Sequence, residues 1–241
     1  MATLSAHATV NPRSADGTGM RIALLGGTGD IGQGLALRWG LDTDHEPLVG
    51  SRDPERARRK ADEYAAALDE RGADADLKGF ENAMAADRAD VVVLSVPAYH
   101  LVDTVEAVAD RLDEETVLVT PAVGMKRDEA GFHYNRPGAG SVAALAADAK
   151  PDGVPLVGAF HNLPAGGLSN LDHEFEWDTL VFGDDDDAKA TVADLAADIG
   201  GLRALDAGGL ANAAEVEAVT PLLINVAMAN DGLHDLGVRF E

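Results

Sequence analysis

The sequence has 241 residues, of which 42 are acidic and 19 are basic, and its formal net charge is −23 at pH 7. A chain this acidic lacks the clustered basic residues that nucleic acid or an anionic membrane surface requires, so both kinds of partner are disfavoured. Because 46% of the residues are hydrophobic, the chain is expected to fold, either as one large domain or as a medium and a small domain.

The composition also indicates where the protein works. Asp outnumbers Glu by 28 to 14 and Lys occurs only 5 times, a pattern similar to that of proteins from cytoplasms holding molar salt. At 1 M salt the Debye length falls to ~3 Å, which screens the self-repulsion of such a surface. We therefore expect a cytoplasmic protein of a halophile. The absence of Cys excludes disulfides, a thiolate nucleophile and Cys-ligated metals.

The chain beyond its first residues alternates between strand and helix patterns. Residues 1–19 are small and polar and are expected to form a flexible N-terminal extension. Short apolar runs then predict strands at residues 21–25, 48–50, 90–96, 116–120 and 154–160. Helix patterns fall between them at residues 33–39, 53–71, 99–112 and 141–149. This order predicts an α/β fold over residues 20–165, with a Rossmann-like doubly wound parallel sheet.

The pattern changes after Pro164. Strands are predicted at residues 179–182 and 203–205, and a helix is predicted at residues 188–199. A second, mostly apolar helix is predicted at residues 211–230 despite Pro221. Residues 166–241 are therefore expected to form a small C-terminal α/β lobe.

A glycine motif follows the first predicted strand. Gly27, Gly29 and Gly32 match G-x-G-x-x-G between a strand and a helix, which is the context that dinucleotide binding requires. Gly27 would permit the tight turn, Gly29 would let a pyrophosphate approach the backbone, and Gly32 would allow close packing of helix on strand. The alternative is a glycine turn that binds nothing.

The end of the second predicted strand favours NADP over NAD. Sites for NAD usually place an acid there to bind the ribose 2′-hydroxyl, whereas this chain has Ser51 and Arg52, with Arg56 following. A hydroxyl and a guanidinium suit a 2′-phosphate, which an acid would repel. The neighbouring Arg58, Arg59 and Lys60 are expected instead to pair with helix acids such as Asp62 and Glu63.

Two more segments follow predicted strands at the edge of the sheet where ligands bind in this class of fold, residues 95–100 and 160–165. His100 and Asp103 are expected to face solvent on a helix. His161 is either a buried histidine with satisfied hydrogen bonds or a ligand contact, and the sequence does not favour one over the other.

The sequence contains no motif for a nucleophile or a metal. Neither H-E-x-x-H nor G-x-S-x-G is present, and the acidic run at residues 184–187 is expected to cap a helix. We therefore expect neither a metal site nor a catalytic side chain. Hydride transfer between two bound cofactors would need neither.

The motifs together resemble a known family. Residues 20–38, Gly50 to Arg52, and residues 161–165, 183–186, 202–208 and 236–240 look like archaeal NADP oxidoreductases that use the deazaflavin coenzyme F-420 (F420). The resemblance extends over essentially the whole chain after Gly19. It implies hydride transfer between NADP(H) and F420, with both small molecules as substrates.

The resemblance also implies which residues bind each substrate. The pyrophosphate would contact Thr28, Gly29, Asp30 and Ile31, and the 2′-phosphate would contact Ser51, Arg52 and Arg56. Ala98 and Val102 would border the dinucleotide, with Ala165 near its nicotinamide end. The deazaflavin pocket would be lined by His161, Leu163 and Leu236. Two positions depart from the family pattern, since Ala98 replaces a bulkier aromatic residue and Asn162 replaces a hydroxyl residue.

Two other functions fit the same motifs. An NADPH-dependent imine or pyrroline-carboxylate reductase would share the fold and the cofactor, but its C-terminal domain needs more apolar helix than this chain offers. An NADP-sensing module would bind the nucleotide without transferring a hydride. A homodimer is compatible with any of the three.

Overall fold

The computed structural model describes residues 19–41 and 43–241. The predicted N-terminal extension therefore lies outside the described residues, except for Gly19. The described residues form ten strands: β1 (Arg21–Leu25), β2 (Glu46–Ser51), β3 (Lys78–Glu81), β4 (Val91–Leu94), β5 (Val117–Thr120), β6 (Met125–Asp128), β7 (Gly131–Tyr134), β8 (Leu156–Gly158), β9 (Trp177–Gly183) and β10 (Leu202–Asp206).

Helices connect most of these strands. Within the same described ranges the α-helices are α1 (Asp30–Leu41), α2 (Pro54–Asp69), α3 (Asn82–Ala86), α4 (Leu101–Val108), α5 (Val142–Ala149), α6 (Ala165–Ser169), α7 (Asp186–Ala197), α8 (Ala213–Glu217) and α9 (Val219–Ala229). None of the described helices has both the length and the hydropathy to cross a bilayer.

Eight strands form one sheet in the order β10-β9-β8-β5-β4-β1-β2-β3. Neighbouring strands run parallel except for the antiparallel pair β8 and β9. From β3 to β8 the order is that of a doubly wound dinucleotide-binding sheet, and it reverses between β1 and β4. The predicted α/β, Rossmann-like fold is confirmed, with one antiparallel pairing added.

The sheet is covered on both faces. Along β1, Ile22 and Leu24 belong to the core cluster that includes residues of α1 and α2, whereas Ala23 and Leu25 belong to the cluster with residues of α4 and α5. Successive strand residues point to opposite faces, so burial on both faces requires a continuous apolar run. That is why the central strands could be recognised in the sequence.

Beyond β8 the chain extends the same sheet. The strands β9 and β10 pair in parallel and add to its β8 edge. The single helix predicted at residues 211–230 is wrong, because α8 ends at Glu217 and α9 begins at Val219. Pro221 has no N–H to donate to the carbonyl of Glu217, so a continuous helix would lose that hydrogen bond.

Several short elements were not predicted. The hairpin of β6 and β7 and the edge strand β3 lack a continuous apolar run, and every residue of β6 is exposed. Their strand structure comes from backbone pairing with a neighbour rather than from burial of their side chains.

Arg38 fixes the segment around α6 on α1. Its buried guanidinium donates hydrogen bonds of 2.6–3.0 Å to the carbonyls of Gly167, Leu168, Asn170 and His173. These carbonyls include the C-terminal end of α6, where helical carbonyls have no partner within the helix. The charge thereby anchors the segment that follows β8, close to the end of the sheet where ligands bind.

Candidate functional site

The glycine turn between β1 and α1 is tight and closely packed. Gly26 takes a φ of 83°, and the N–H of Gly27 donates to the carbonyl of Leu24 at 2.8 Å. The prediction gave the tight turn to Gly27, but the left-handed conformation, which only glycine adopts readily, falls on Gly26. A Cβ on Gly32 would lie 2.5 Å from the Cα of Gly27, so α1 packs directly on the turn.

The space in front of this turn is open. A Cβ on Gly29 would have one described atom within 4 Å, the carbonyl oxygen of Gly26 at 3.4 Å. Gly29, Asp30 and Ile31 line the adjoining cleft, where α1 begins. The first N–H groups of a helix lack partners within it and its dipole is positive at this end, so the site suits an anion such as a pyrophosphate.

A narrow cleft of about 440 Å³ lies at the carboxyl ends of β2 and β3. Five of the predicted residues line it, namely Thr28, Gly29, Ser51, Arg52 and Arg56. Arg52 and Arg56 are exposed, and neither forms an ion pair with any residue that the structure describes. Two unpaired guanidinium groups in a chain with a charge of −23 form a clear site for an anion.

The acid that follows Arg52 in the chain, Asp53, serves as a helix cap. Asp53 caps α2, accepting hydrogen bonds from the N–H groups of Glu55 at 2.9 Å and Arg56 at 3.2 Å. Ser51 Oγ accepts from the N–H of Asp53 at 3.2 Å, which leaves its own O–H to donate. Asp53 is thus engaged by the helix cap, and it forms no ion pair with Arg52 or Arg56 among the described residues.

The next three basic residues along α2 differ in whether they form an ion pair. Lys60 pairs with Glu63, as predicted. Arg58 and Arg59 are exposed and form no ion pair within the described ranges, so the predicted pairing is wrong for these two. Neither of them lines the narrow cleft.

The start of α4 forms the opposite wall. His100, Asp103, Thr104 and Ala107 line the narrow cleft, since residues three or four positions apart share one face of a helix. Asp103 is exposed, as expected, whereas His100 is half-buried, and both also line this wall. Val102 lies off that face and lines neither cleft, so its contact with a dinucleotide stays a prediction.

A wide cleft of about 880 Å³ continues from the narrow one. Gly29 and residues 95–97 line both clefts and therefore mark where they join. The wide cleft brings together predicted residues from distant parts of the chain: Asp30, Ile31, Ala98, His161, Leu163, Ala165 and Leu236.

His161 lies in the wall of the wide cleft without a hydrogen-bond partner on its ring. The side chain is buried, and neither Nδ1 nor Nε2 meets a donor or acceptor among the described residues. Burial lowers the pKa of the imidazole to about 3, so the ring is neutral at physiological pH. It stacks on Phe182 at 5.3 Å between ring centroids. No described residue therefore supplies the hydrogen bonds that the alternative of a satisfied histidine requires.

Asn162 connects the cleft wall to β9. Its Nδ2 donates to the carbonyl of Asp178 at 2.7 Å, and its Oδ1 accepts from the N–H of Leu180 at 3.4 Å. Both ends of the amide are thus used by the backbone. The Asn162 side chain therefore ties this wall of the cleft to β9.

Phe160 carries backbone strain that the sequence did not reveal. It is a non-glycine residue with a φ of 65°, and its N–H donates to Thr179 Oγ1 at 3.0 Å. Such a conformation persists only where the surroundings impose it, and it is frequent at functional sites. Here it redirects the chain after β8, so that residues 161–166 line the cleft.

Two further elements complete the wide cleft, and apart from Leu236 their residues were missed. Thr220, Leu223, Ile224 and Ala227 of α9 line it, as do Leu233, His234 and Asp235 near the C-terminus. Thr220 Oγ1 donates to the carbonyl of His161 at 2.7 Å, which fixes α9 against the wall. The apolar character of residues 219–229 was the available signal, but it does not indicate which surface the helix covers.

The described residues contain no group of three or more His, Asp or Glu side chains that could hold a metal ion. The titratable groups on the wide cleft are Asp30, His161, His234 and Asp235. Since His161 is neutral and most of the other lining residues are apolar, the cleft suits a ligand with a large apolar surface.

Comparison with known proteins shows which family this chain resembles. Residues 21–124 match the model of the family described as NADP oxidoreductase, coenzyme F420-dependent. The chain is 39% identical to the F420-dependent NADP reductase of Methanocaldococcus jannaschii, covering 86% of this chain and 92% of that protein. It is 36% identical to the enzyme of the same name from Methanothermobacter thermautotrophicus, covering 91% of this chain and 94% of that protein.

A solved structure shows the same fold. A protein from Arthrobacter sp. FB24, provisionally named an F420-dependent NADP reductase, superposes with a TM-score of 0.76. The match covers 92% of this chain and all of the other, at 24% sequence identity. The fold is therefore shared well beyond the residues that the family model matches.

Proposed function

Because this chain belongs to the family of coenzyme F420-dependent NADP oxidoreductases, we propose that hydride passes between NADP(H) and F420 within its two joined clefts. The activity is that of an F420-dependent NADP reductase. The two clefts are assigned to the two substrates because they join at Gly29 and residues 95–97. This junction lies beside the point where the strand order reverses. Dinucleotides bind across this point in doubly wound sheets.

NADP occupies the narrow cleft and the glycine turn in this proposal. Ser51, Arg52 and Arg56 bind the 2′-phosphate, because they offer a hydroxyl and two unpaired guanidinium groups at one place. The pyrophosphate lies at the start of α1, against Thr28, Gly29, Asp30 and Ile31. Gly27 and Gly32 allow the turn to pack closely on its neighbours, because a side chain at either position would collide with the backbone.

The deazaflavin ring of F420 occupies the wide cleft, and it exchanges hydride with the nicotinamide when both are bound. Ala98 and Ala165 border the nicotinamide end, where small side chains leave room for two stacked rings. His161, Leu163 and Leu236 line the deazaflavin side with apolar surface. The fit rests on a cavity of about 880 Å³ and on the uncharged ring of His161.

The chain promotes the reaction by position rather than by proton transfer. Its residues hold two planar groups in one cleft and exclude water from between them, which favours direct transfer. His161 is assigned no acid or base role, because burial lowers its pKa to about 3, which makes the neutral ring a weak base and leaves it without the proton of an imidazolium to donate. No side chain is assigned a catalytic role.

We expect deuterium placed at one face of the nicotinamide C4 to appear on the deazaflavin ring without washing into solvent. NADPH that carries deuterium on the opposite face of C4 should transfer its unlabelled hydrogen, because the chain holds the nicotinamide in one orientation. His161→Ala should raise the KM for F420 but keep measurable turnover, whereas loss of a general acid or base typically lowers the rate by ~10²–10⁴-fold. Mass spectrometry of the product and steady-state kinetics provide the measurements.

Three results would contradict this function. Exchange of the label with water would exclude direct transfer. Reduction of imines without reduction of F420 would favour the imine or pyrroline-carboxylate reductase. Nucleotide binding without any transfer would favour the NADP-sensing module.

We further propose that the protein works in the cytoplasm of a halophile, on the basis of its net charge of −23. Salt screens the repulsion among surface carboxylates, so the folded state should gain stability as salt is added. In thermal melts from about 0.1 M to 2 M KCl, we expect the unfolding midpoint to rise steadily. A midpoint that is flat or falling across the series would rule out the halophile assignment.

We also propose a homodimer that forms through α9. This helix is strongly apolar, yet Pro221 is its one buried residue, and Leu222 and Val226 are 59% and 38% exposed on the side away from the cleft. These two side chains lie four positions apart on one helix face and so present a continuous apolar strip. The same face of a second copy would cover it by two-fold symmetry.

A further inference from the structure

The narrow cleft contains a buried amide that the described chain leaves without a partner. Asn82 is 8% exposed and lines the cleft, and its Oδ1 is buried with no hydrogen bond. The described residues supply no partner for its Nδ2 either. Buried amides are nearly always hydrogen-bonded, because an unpaired polar group loses its interaction with water and gains nothing. Since Nδ2 is also without a partner, a hydrogen-bond acceptor bound in the cleft could pair this end of the amide.

The position of Asn82 places it beside the cation pair. In the register of β2 and β3, Ser51 pairs with Glu81, so Asn82 follows the strand end next to Arg52. Its Oδ1 is turned toward the sheet, since a Cβ on Gly50 would lie only 2.9 Å from it. The absence of a side chain at Gly50 is what makes room for the amide. Nδ2 is therefore the polar atom of this side chain that can reach a ligand in the cleft, and it can only donate a hydrogen bond.

The neighbouring acid, Glu81, forms no hydrogen bond with this donor in the described structure. Glu81 also lines the narrow cleft, but its carboxylate accepts a hydrogen bond from the N–H of Ala83 at 3.0 Å. Ser51, Arg52, Arg56 and Asn82 thus offer hydrogen-bond donors in one cleft. A neutral donor among cations suits an acceptor that carries several oxygens, as a phosphate does.

We propose that Asn82 Nδ2 donates a hydrogen bond to the 2′-phosphate of NADP, and that Asn82 is thereby a specificity-determining residue for NADP over NAD. The inference rests on the proposed function, which places this phosphate between Ser51 and Arg52. NAD has a hydroxyl in place of the phosphate, so it offers Asn82 no charged acceptor. The contact therefore contributes to discrimination and not simply to binding.

The test compares Asn82→Leu with the wild type in calorimetric titrations with NADP, NAD and adenosine 2′,5′-bisphosphate. We expect the Kd for NADP and for the bisphosphate to rise about tenfold and the Kd for NAD to stay within about twofold. The thermal midpoint of the ligand-free variant should equal or exceed that of the wild type, because the substitution removes an unpaired buried amide. Asn82→Ser serves as a second, smaller variant, and Asn212→Leu as a control outside both clefts.

Each other outcome overturns the inference. An unchanged Kd for NADP means that Nδ2 makes no contact with the nucleotide. An equal rise in the Kd for NADP and for NAD would mean that Asn82 contacts the ribose or the adenine, which both nucleotides share. An equal rise accompanied by a lower thermal midpoint of unfolding would mean that Asn82 supports the fold. Failure of the proposed function is separate, since the wild type would then show no preference for NADP or no reduction of F420.

Discussion

Arg52→Ala is expected to raise the Kd for NADP by about 10- to 100-fold and to leave the Kd for NAD within about twofold. The guanidinium donates charge-assisted hydrogen bonds to the 2′-phosphate, which NAD lacks. Arg52 has no carboxylate partner among the described residues, so the substitution breaks no ion pair of the free protein. The double variant Arg52→Ala, Arg56→Ala should lose still more, and calorimetric titration measures each step.

Arg58→Ala is the matched control for this prediction. Arg58 lies on α2, is exposed and unpaired within the described ranges, and does not line the narrow cleft. The variant changes the net charge by the same amount as Arg52→Ala. Its effect on the Kd therefore measures only the loss of one distant positive charge, without the loss of a contact in the cleft. If Arg58→Ala weakens NADP as much as Arg52→Ala does, or if NAD is weakened equally, direct contact with the 2′-phosphate is excluded. Titrations in high salt strengthen the contrast, because salt screens distant charges more than contacts.

The second large effect concerns acid stability. The pKa of His161 is about 3 in the folded protein, whereas an unfolded histidine titrates near ~6.5. Between these values the unfolded chain binds the proton and the folded chain does not, so acid favours unfolding. The stability contributed by the neutral ring is complete above about pH 6.5 and is lost progressively as the pH falls toward 3. At about pH 4.5 the loss from this one group should reach about 3 kcal/mol.

Denaturant unfolding of the wild type, His161→Leu and His161→Gln near pH 7 and pH 4.5 provides the measurement. Both variants lack the titrating ring, so each should lose about 3 kcal/mol less than the wild type over this interval. Carboxylate titration is common to all three proteins and cancels in the comparison. If the wild type and both variants lose the same free energy, the ring is not held neutral. If Leu and Gln differ strongly from one another, packing rather than titration is responsible.

The sequence alone determined the features that depend on neighbouring residues. The glycine turn, the buried strands on either side of it and the Ser51 and Arg52 pair each lie within a few positions of one another, so local pattern was enough to predict them. Residue order fixed the doubly wound fold, because alternating strands and helices permit few topologies. The F420-dependent family was likewise recognised from motifs read in order along the chain, and the comparisons confirm it.

The tertiary structure decided the features that join distant segments. The left-handed φ of Phe160 depends on contacts with Thr179, and the unpaired state of His161 depends on its burial in the cleft wall. The placement of α9 over the cleft and the juxtaposition of Asn82 with Arg52 likewise follow from packing and strand register. Burial and hydrogen-bond satisfaction depend on every element that surrounds a group, and no local window of sequence contains that information.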